Sequence, residues 1–142
     1  MDAISQATDR PKFKVLIVDD GAFWRRALSR MVAETGLHCE VVAVEDGLDA
    51  CLCLKDFRPD LIILDIDMPQ LDGAELCHVL NLSGRLAETP VLIVTGRPED
   101  PRVKRALGAG AVKCLAKSAH PDEFRATVRL LLTGDTARAE PR

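Results

Sequence analysis

Three aspartates directly follow two apolar runs of the sequence, and their chemistry is the most readily recognised in the chain. Asp19 and Asp20 come after the run Val15–Val18, and Asp65 comes after Leu61–Leu64. Carboxylates that lie close together repel one another unless a cation joins them. A hard divalent ion such as Mg²⁺, which prefers oxygen ligands, is the natural partner of such a group. The pattern predicts an acidic metal site if the two runs end at the same place.

A threonine and a lysine follow two later apolar runs in the same way. Thr95 comes directly after Val91–Val94, and Lys117 lies one residue beyond Ala111–Leu115. A carboxylate such as that of Asp65 can attack a phosphoryl group and form an acyl phosphate. A metal ion and a lysine would neutralise the transferring oxygens, and a threonine hydroxyl can donate a hydrogen bond to them. These residue types together predict phosphoryl transfer to an aspartate.

The elements that must position these residues are five apolar runs, the remaining one being Val41–Val44, separated by amphipathic stretches. Continuous apolar runs fit strands that are covered on both faces, as in a parallel sheet. The stretches have helical spacing: the first contains Trp24 and the others lie at about Gly47–Phe57, from Gly73, after Pro101 and after Pro121. Five successive strand–helix units predict a right-handed, doubly wound α/β domain, whose ligands bind beyond the carboxyl ends of the strands.

The sequence resembles a response regulator receiver domain over residues 12–133. The matching segments, in the family's order, are VLIVDD (15–20), PDLIILDIDMPQLDG (59–73), VLIVT (91–95) and Gly110–Ala111 followed by Lys117. The resemblance implies a flavodoxin-like, five-stranded parallel sheet of order 2-1-3-4-5 with five helices. The segments outside this range, 1–11 and 134–142, are predicted to be a flexible N-terminal flank and a flexible C-terminal tail.

The resemblance also implies a role for each residue at the strand ends. Asp65 is the phospho-acceptor, and Thr95 and Lys117 grip the phosphoryl oxygens. The implied Mg²⁺ ligands are Asp19, Asp20, Asp65 and the backbone carbonyl of Asp67. Among them, Asp20 binds the ion directly, whereas the contact of Asp19 with the ion is closer to a water-mediated one.

The implied partners are a histidine kinase or phosphotransfer protein and an unidentified downstream protein. The expected protein is a stand-alone phospho-switch, a monomer or weak dimer, with no enzymatic activity beyond self-catalysed phosphoryl transfer and dephosphorylation. Its formal net charge of −3, from 19 basic and 22 acidic residues, argues against direct nucleic-acid or membrane binding. No apolar run is long enough to span a bilayer and the N-terminus carries no apolar signal core, so the cytoplasm is the expected location.

Two positions near the lysine depart from the family pattern. Cys114 stands where an aromatic residue is usual, and Ser118 stands where the family places a proline after a cis peptide bond. A cis bond before another residue type costs about 2.5–4 kcal/mol, so the Lys117–Ser118 peptide is predicted to be trans or else strained. Asp67 and Arg97, which flank the phosphoryl site by resemblance, either pair across the mouth of the pocket or remain independent solvated side chains.

Two alternative functions stay open at this point. Asp65-Ile66-Asp67 resembles the DxD motif of haloacid-dehalogenase-type phosphatases, although that motif ends the first strand and here a strand and an acidic pair precede it. A receiver-fold binding module without regulated phosphorylation would explain the departures at Cys114 and Ser118, but not the intact acidic residues. A dinucleotide site is disfavoured because no GxGxxG follows the first apolar run.

Overall fold

Five strands alternate with five α-helices in the computed structural model, which describes residues 12–134. The strands are β1 (Phe13–Val18), β2 (Cys39–Val44), β3 (Leu61–Leu64), β4 (Val91–Thr95) and β5 (Lys113–Ala116). The helices are α1 (Ala22–Ala33), α2 (Gly47–Cys53), α3 (Gly73–Leu82), α4 (Pro101–Ala109) and α5 (Pro121–Thr133). The predicted flanks lie outside the described residues except for Gly134, which ends α5 at a φ of 68°. None of the helices in residues 12–134 is long and apolar enough to cross a bilayer.

The strands form one parallel sheet of order β2-β1-β3-β4-β5, which confirms the predicted fold class and strand order. Val18 of β1 pairs with Val44 of β2 and with Leu64 of β3, so these three strands end at the same level. The connection reverses direction between β1 and β3, and open α/β sheets bind ligands at such a point. The sheet register therefore brings the residues after β1 and β3 side by side.

Two hydrophobic clusters cover the two faces of the sheet and explain why the strands are apolar throughout. Within β3, Ile62 and Leu64 belong to the cluster that contains residues of α2, α3 and α4, whereas Leu61 and Ile63 belong to the cluster of α1 and α5. Successive side chains of a strand point to opposite faces, so a strand buried on both sides has no polar position. The doubly wound arrangement follows from this burial.

Local sequence signals begin the helices that border the sheet edge. Asp72 caps α3 in a reciprocal capping box with Glu75, and Pro101 begins α4 directly after its cap residue Asp100. The prediction that α2 reaches Phe57 is wrong, because the helix ends at Cys53. Pro59 disfavours helical geometry in the residue before it, and the chain must turn here to enter β3.

The start of α3 lies directly against the backbone that follows β3. A Cβ atom added at Gly73 would be 2.3 Å from the carbonyl oxygen of Asp65 and 2.8 Å from Cα of Ile66. The Gly73 amide donates a hydrogen bond to the Ile66 carbonyl at 3.0 Å. The end of the loop between β3 and α3 therefore packs against the start of the same loop, where Asp65 lies.

We expect Gly73→Ala to destabilise the fold by about 1–3 kcal/mol, because the added methyl group meets backbone atoms that cannot move away independently. Denaturant unfolding measures the change. Gly108→Ala is the matched control: Gly108 lies inside α4 with open space around the added Cβ, and the substitution should be neutral or stabilising by up to about 1 kcal/mol. Equal stability of Gly73→Ala and the wild type would contradict the close packing described here.

Candidate functional site

The residues predicted at the strand ends come together at the carboxyl edge of the sheet. Asp19, Asp65 and Thr95 are buried, whereas Asp20 is exposed beside them. An open cleft of about 540 Å³ is lined by Asp20, Asp65, Thr95 and Lys117, together with residues of the loop after β3. The sequence therefore predicted the membership of this cluster correctly.

One ammonium group lies between two buried carboxylates at the centre of the cluster. Lys117 Nζ is 2.8 Å from Asp19 Oδ2 and 2.9 Å from Asp65 Oδ2. Burial opposes the charge of the ammonium, but its close contacts with the two carboxylates outweigh that effect, and the pKa of Lys117 is raised. Burial also raises the pKa of Asp65, although Lys117 partly offsets the effect. With Asp20 alongside, three carboxylates share a single positive charge.

The donor atoms of the cluster fit a hard divalent cation. Asp19, Asp20 and Asp65 each offer one carboxylate oxygen, and these oxygens lie within 4.8 Å of one another. Asp19 Oδ2 is buried and, among residues 12–134, touches the ammonium without accepting a well-directed hydrogen bond. Mg²⁺ prefers negatively charged oxygen ligands, whereas softer metals prefer sulfur ligands. The residues present therefore fit the ion that the sequence predicts.

The turns beside the cluster keep the polar groups in place. The Asp67 amide donates to Asp65 Oδ1 at 3.3 Å, so the loop after β3 folds back on the acceptor carboxylate. Thr95 Oγ1 accepts a hydrogen bond from the Arg97 amide at 3.2 Å, which leaves the hydroxyl proton available to a ligand in the cleft. The backbone carbonyl of Asp67 belongs to the same loop, where the sequence predicts a metal ligand.

The acidic pair after β1 does not serve as a helix cap. The cap residue of α1 is Gly21, which makes no side-chain capping hydrogen bond. Asp19 Oδ1 instead accepts from the Gly21 amide at 2.8 Å, and the Arg25 guanidinium donates to the Asp19 carbonyl at 2.7 Å. Sequence reasoning missed Arg25, since nothing in its spacing shows that its side chain turns back toward the strand end.

A group of five charged side chains lies on the rim of the cleft. Arg97 Nη2 is 3.5 Å from Asp67 Oδ2, which confirms that these two residues approach each other. Arg97 also lies 3.3 Å from Asp100. Arg102, which sequence reasoning missed, contacts Asp67 at 3.4 Å, Asp72 at 3.6 Å and Asp100 at 2.9 Å. These contacts join the loop after β4 to the loop after β3. The exposed Arg97–Asp67 pair contributes only about 0–1 kcal/mol, so it matters for geometry more than for stability.

The two departures near Lys117 have visible structural outcomes. The Lys117–Ser118 peptide is trans, as predicted, since residues 12–134 contain no cis peptide bond. The Lys117 amide donates to the Thr95 carbonyl at 2.8 Å, which continues the pairing of β4 and β5 as far as the lysine. Cys114 is half-buried in β5, and burial raises the pKa of its thiol. The position that is usually aromatic thus holds a small neutral side chain.

Comparison with known proteins gives consistent matches. The family model described as response regulator receiver domain matches residues 15–129. The response regulator MprA of Mycobacterium sp. (strain KMS) is 34% identical over 119 residues, which cover 84% of this chain and 50% of that protein. The protein-glutamate methylesterase/protein-glutamine glutaminase 3 of Geobacter sulfurreducens is 36% identical over 107 residues, covering 75% of this chain and 28% of that protein. The chain thus spans half or less of the length of these curated relatives.

Solved structures agree with the sequence matches. The chemotaxis protein CheY4 of Vibrio cholerae superposes with a TM-score of 0.76 at 28% identity, covering 86% of this chain and 100% of that one. The signal receiver domain of a histidine kinase from Syntrophus aciditrophicus also has a TM-score of 0.76, at 33% identity, covering 86% of this chain and 91% of that one. Both likenesses extend over most of residues 12–134.

We expect Arg102→Gln to raise the pKa of Asp100 toward its ordinary value. In the wild type, hydrogen bonds from Arg102 hold the pKa of this carboxyl far below the usual range because they favour the charged form. A depressed pKa stabilises the fold above the ordinary carboxyl pKa of about 3.9, and the contribution is lost as the pH falls below it. The difference in Tm between wild type and variant should therefore narrow below about pH 4.

Carbon-13 NMR titration of the Asp100 carboxyl measures this change directly. The control is Arg105→Gln, an exposed arginine farther along α4, which should leave the Asp100 titration unchanged. An Asp100 midpoint that is the same in Arg102→Gln and wild type would show that the contact does not act in solution.

Proposed function

This chain belongs to the family of response regulator receiver domains, and on that premise we propose that Asp65 accepts a phosphoryl group in a Mg²⁺-dependent reaction. The donor is a histidine kinase or a phosphotransfer protein, and the phosphorylated domain signals to a partner protein through its own surface. The observation that carries this proposal is the contact of Lys117 Nζ with both Asp65 and Asp19, in a cluster with two more carboxylates than one ammonium can neutralise.

Each residue of the cluster has a defined part in the proposed reaction. An oxygen of Asp65 forms a bond to phosphorus while the bond to the donor breaks, and the electron pair of that bond leaves with the donor. Lys117 Nζ, already 2.9 Å from Asp65 Oδ2, is placed to move onto a phosphoryl oxygen as charge builds up there. The Thr95 hydroxyl donates a hydrogen bond to another of these oxygens. Bound Mg²⁺, held by Asp19, Asp20, Asp65 and the carbonyl of Asp67, would supply the remaining positive charge.

The position of Asp67 argues against the phosphatase alternative. In the haloacid-dehalogenase family the DxD motif ends the first strand, whereas in this chain Asp65-Ile66-Asp67 follows the third strand, β3. Here the Asp67 carboxylate is exposed on the rim and contacts Arg97 and Arg102. A binding module without phosphorylation is disfavoured for a different reason, because Asp19, Asp65 and Lys117 keep their contacts intact.

The cellular location is also part of the proposal. The relatives named above are about two to more than three times as long as the part that this chain matches. Their activities are therefore not assigned to this chain, and only the receiver reaction is proposed. A donor kinase would reach the domain in the cytoplasm.

We expect incubation with acetyl phosphate and Mg²⁺ to add one phosphoryl group, seen as a mass increase of the intact protein. Asp65→Asn should abolish the increase, because the attacking carboxylate oxygen is lost. Asp67→Asn is the matched control: it should still be labelled, since the proposed ligand from that residue is the backbone carbonyl. Labelling that persists in Asp65→Asn, or that is equally strong without a divalent ion, would contradict the proposal.

The ion pair on the rim should affect the lifetime of the acyl phosphate. Arg97 and Asp67 stand at the mouth of the cleft, where an attacking water must pass, so Arg97→Ala should speed dephosphorylation. The coupling between the two positions should amount to at most about 5-fold, the rate equivalent of an exposed ion pair. Dephosphorylation rates of wild type, Asp67→Asn, Arg97→Ala and the double variant measure it, and strictly additive logarithms would remove the case for coupling.

A further inference from the structure

An aromatic ring forms a third contact of the Lys117 ammonium. Nζ lies over the Trp24 ring, 5.1 Å from its centroid, and the Lys117 side chain is only 13% exposed. Trp24 is the only tryptophan of the chain. A cation at this distance from an indole face is attracted by the ring quadrupole, and tryptophan gives the strongest such contact.

The ring is itself held in place. Trp24 is the third residue of α1 and packs against the hydrophobic cluster of α1, α5 and the facing strands. The Phe23 ring meets it edge-on, with centroids 5.5 Å apart and planes at 88°. A side chain fixed on two sides can act as a support, because its own position does not depend on the lysine.

The ring differs from the other two partners of Lys117 in one respect that matters for the reaction. Asp19 and Asp65 are the carboxylates proposed to bind Mg²⁺, and a bound ion would weaken their attraction for the ammonium. The Trp24 face is uncharged and belongs to no proposed metal ligand, so its attraction persists.

A small cavity beside the lysine shows what the ring prevents. It has a volume of about 100 Å³ and is lined by the stem of Lys117, by Trp24 and by apolar residues that include Leu28, Leu115 and Phe124. Without the indole this space would widen, and the aliphatic stem could pack into it and draw the ammonium away from Asp65.

We propose that Trp24 is a positioning residue for Lys117, whose ring keeps the ammonium directed at the phosphoryl site when the metal occupies the carboxylates. This inference rests on the proposed phosphorylation of Asp65. It gives α1 a role in the proposed reaction that is separate from that of Asp19 and Asp20, which precede the helix.

The first test compares initial rates of labelling by acetyl phosphate at saturating Mg²⁺. Trp24→Leu should be slower than wild type by about 2- to 30-fold, the rate equivalent of a cation–π contact. Trp24→Phe, which keeps a ring with a weaker quadrupole, should recover part of the rate. Phe57→Leu is the matched control, because it removes another lysine–ring contact, that of Lys14 at 5.9 Å, and should label at the wild-type rate.

The second test does not depend on phosphorylation or on metal. Protons over an aromatic face are shifted upfield, so the ε-methylene protons of Lys117 should be upfield-shifted in the metal-free protein labelled with carbon-13 lysine. The signal is assigned by its loss in Lys117→Arg. The shift should be smaller in Trp24→Phe and absent in Trp24→Leu, and if Trp24→Leu does not fold, Trp24→Phe against wild type decides.

The outcomes separate this inference from the proposed function. If the wild type is phosphorylated but shows no upfield shift, only the role of Trp24 is overturned. The same holds if Trp24→Leu is phosphorylated as fast as the wild type. A Trp24→Phe variant as slow as a folded Trp24→Leu also overturns it, because a merely space-filling role would give that result. An upfield shift in a wild type that is never labelled contradicts the proposed function while supporting the contact.

Discussion

Excess negative charge at the carboxyl edge of the sheet is the constraint on which the site depends. Asp19 and Asp65 are buried, and both lie within 3 Å of the same ammonium group of Lys117. Asp20 adds a third carboxylate, and within residues 12–134 no cation other than Lys117 forms an ion pair with the three. The carboxylates of such a cluster repel one another, and a cation that binds among them relieves the repulsion. A divalent cation is the ligand that would balance it, and the added positive charge would also offset that of an incoming phosphoryl group.

The rest of the fold holds these charged groups in a fixed geometry. The register of β1 and β3 places the two buried carboxylates side by side. Gly73 lets α3 approach the backbone of Asp65, and Arg102 joins the loop after β3 to the start of α4. The Trp24 ring contacts the ammonium of Lys117, 5.1 Å from Nζ to the ring centroid. The polar groups of the proposed site thus lie on strand ends, and residues of the neighbouring helices and loops hold them.

The strand ends could be predicted from the sequence, but the supporting contacts could not. Asp65 and Thr95 were predicted because apolar runs mark buried strands and the residue after each run must reach the sheet edge. Arg25, Trp24 and Arg102 lie within helices, where spacing identifies a face and not the atom that a long side chain reaches. The early end of α2 was also missed, because the apolar pattern continues beyond Cys53 although the helical backbone geometry ends there.

Anomalous diffraction from a crystal grown with Mn²⁺, an octahedral stand-in for Mg²⁺, tests the charge-balance account most directly. The account predicts one strong peak about 2.1 Å from carboxylate oxygens of Asp20 and Asp65 and from the carbonyl oxygen of Asp67. A peak elsewhere, with Lys117 still in contact with both buried carboxylates and nothing bound between them, would contradict it.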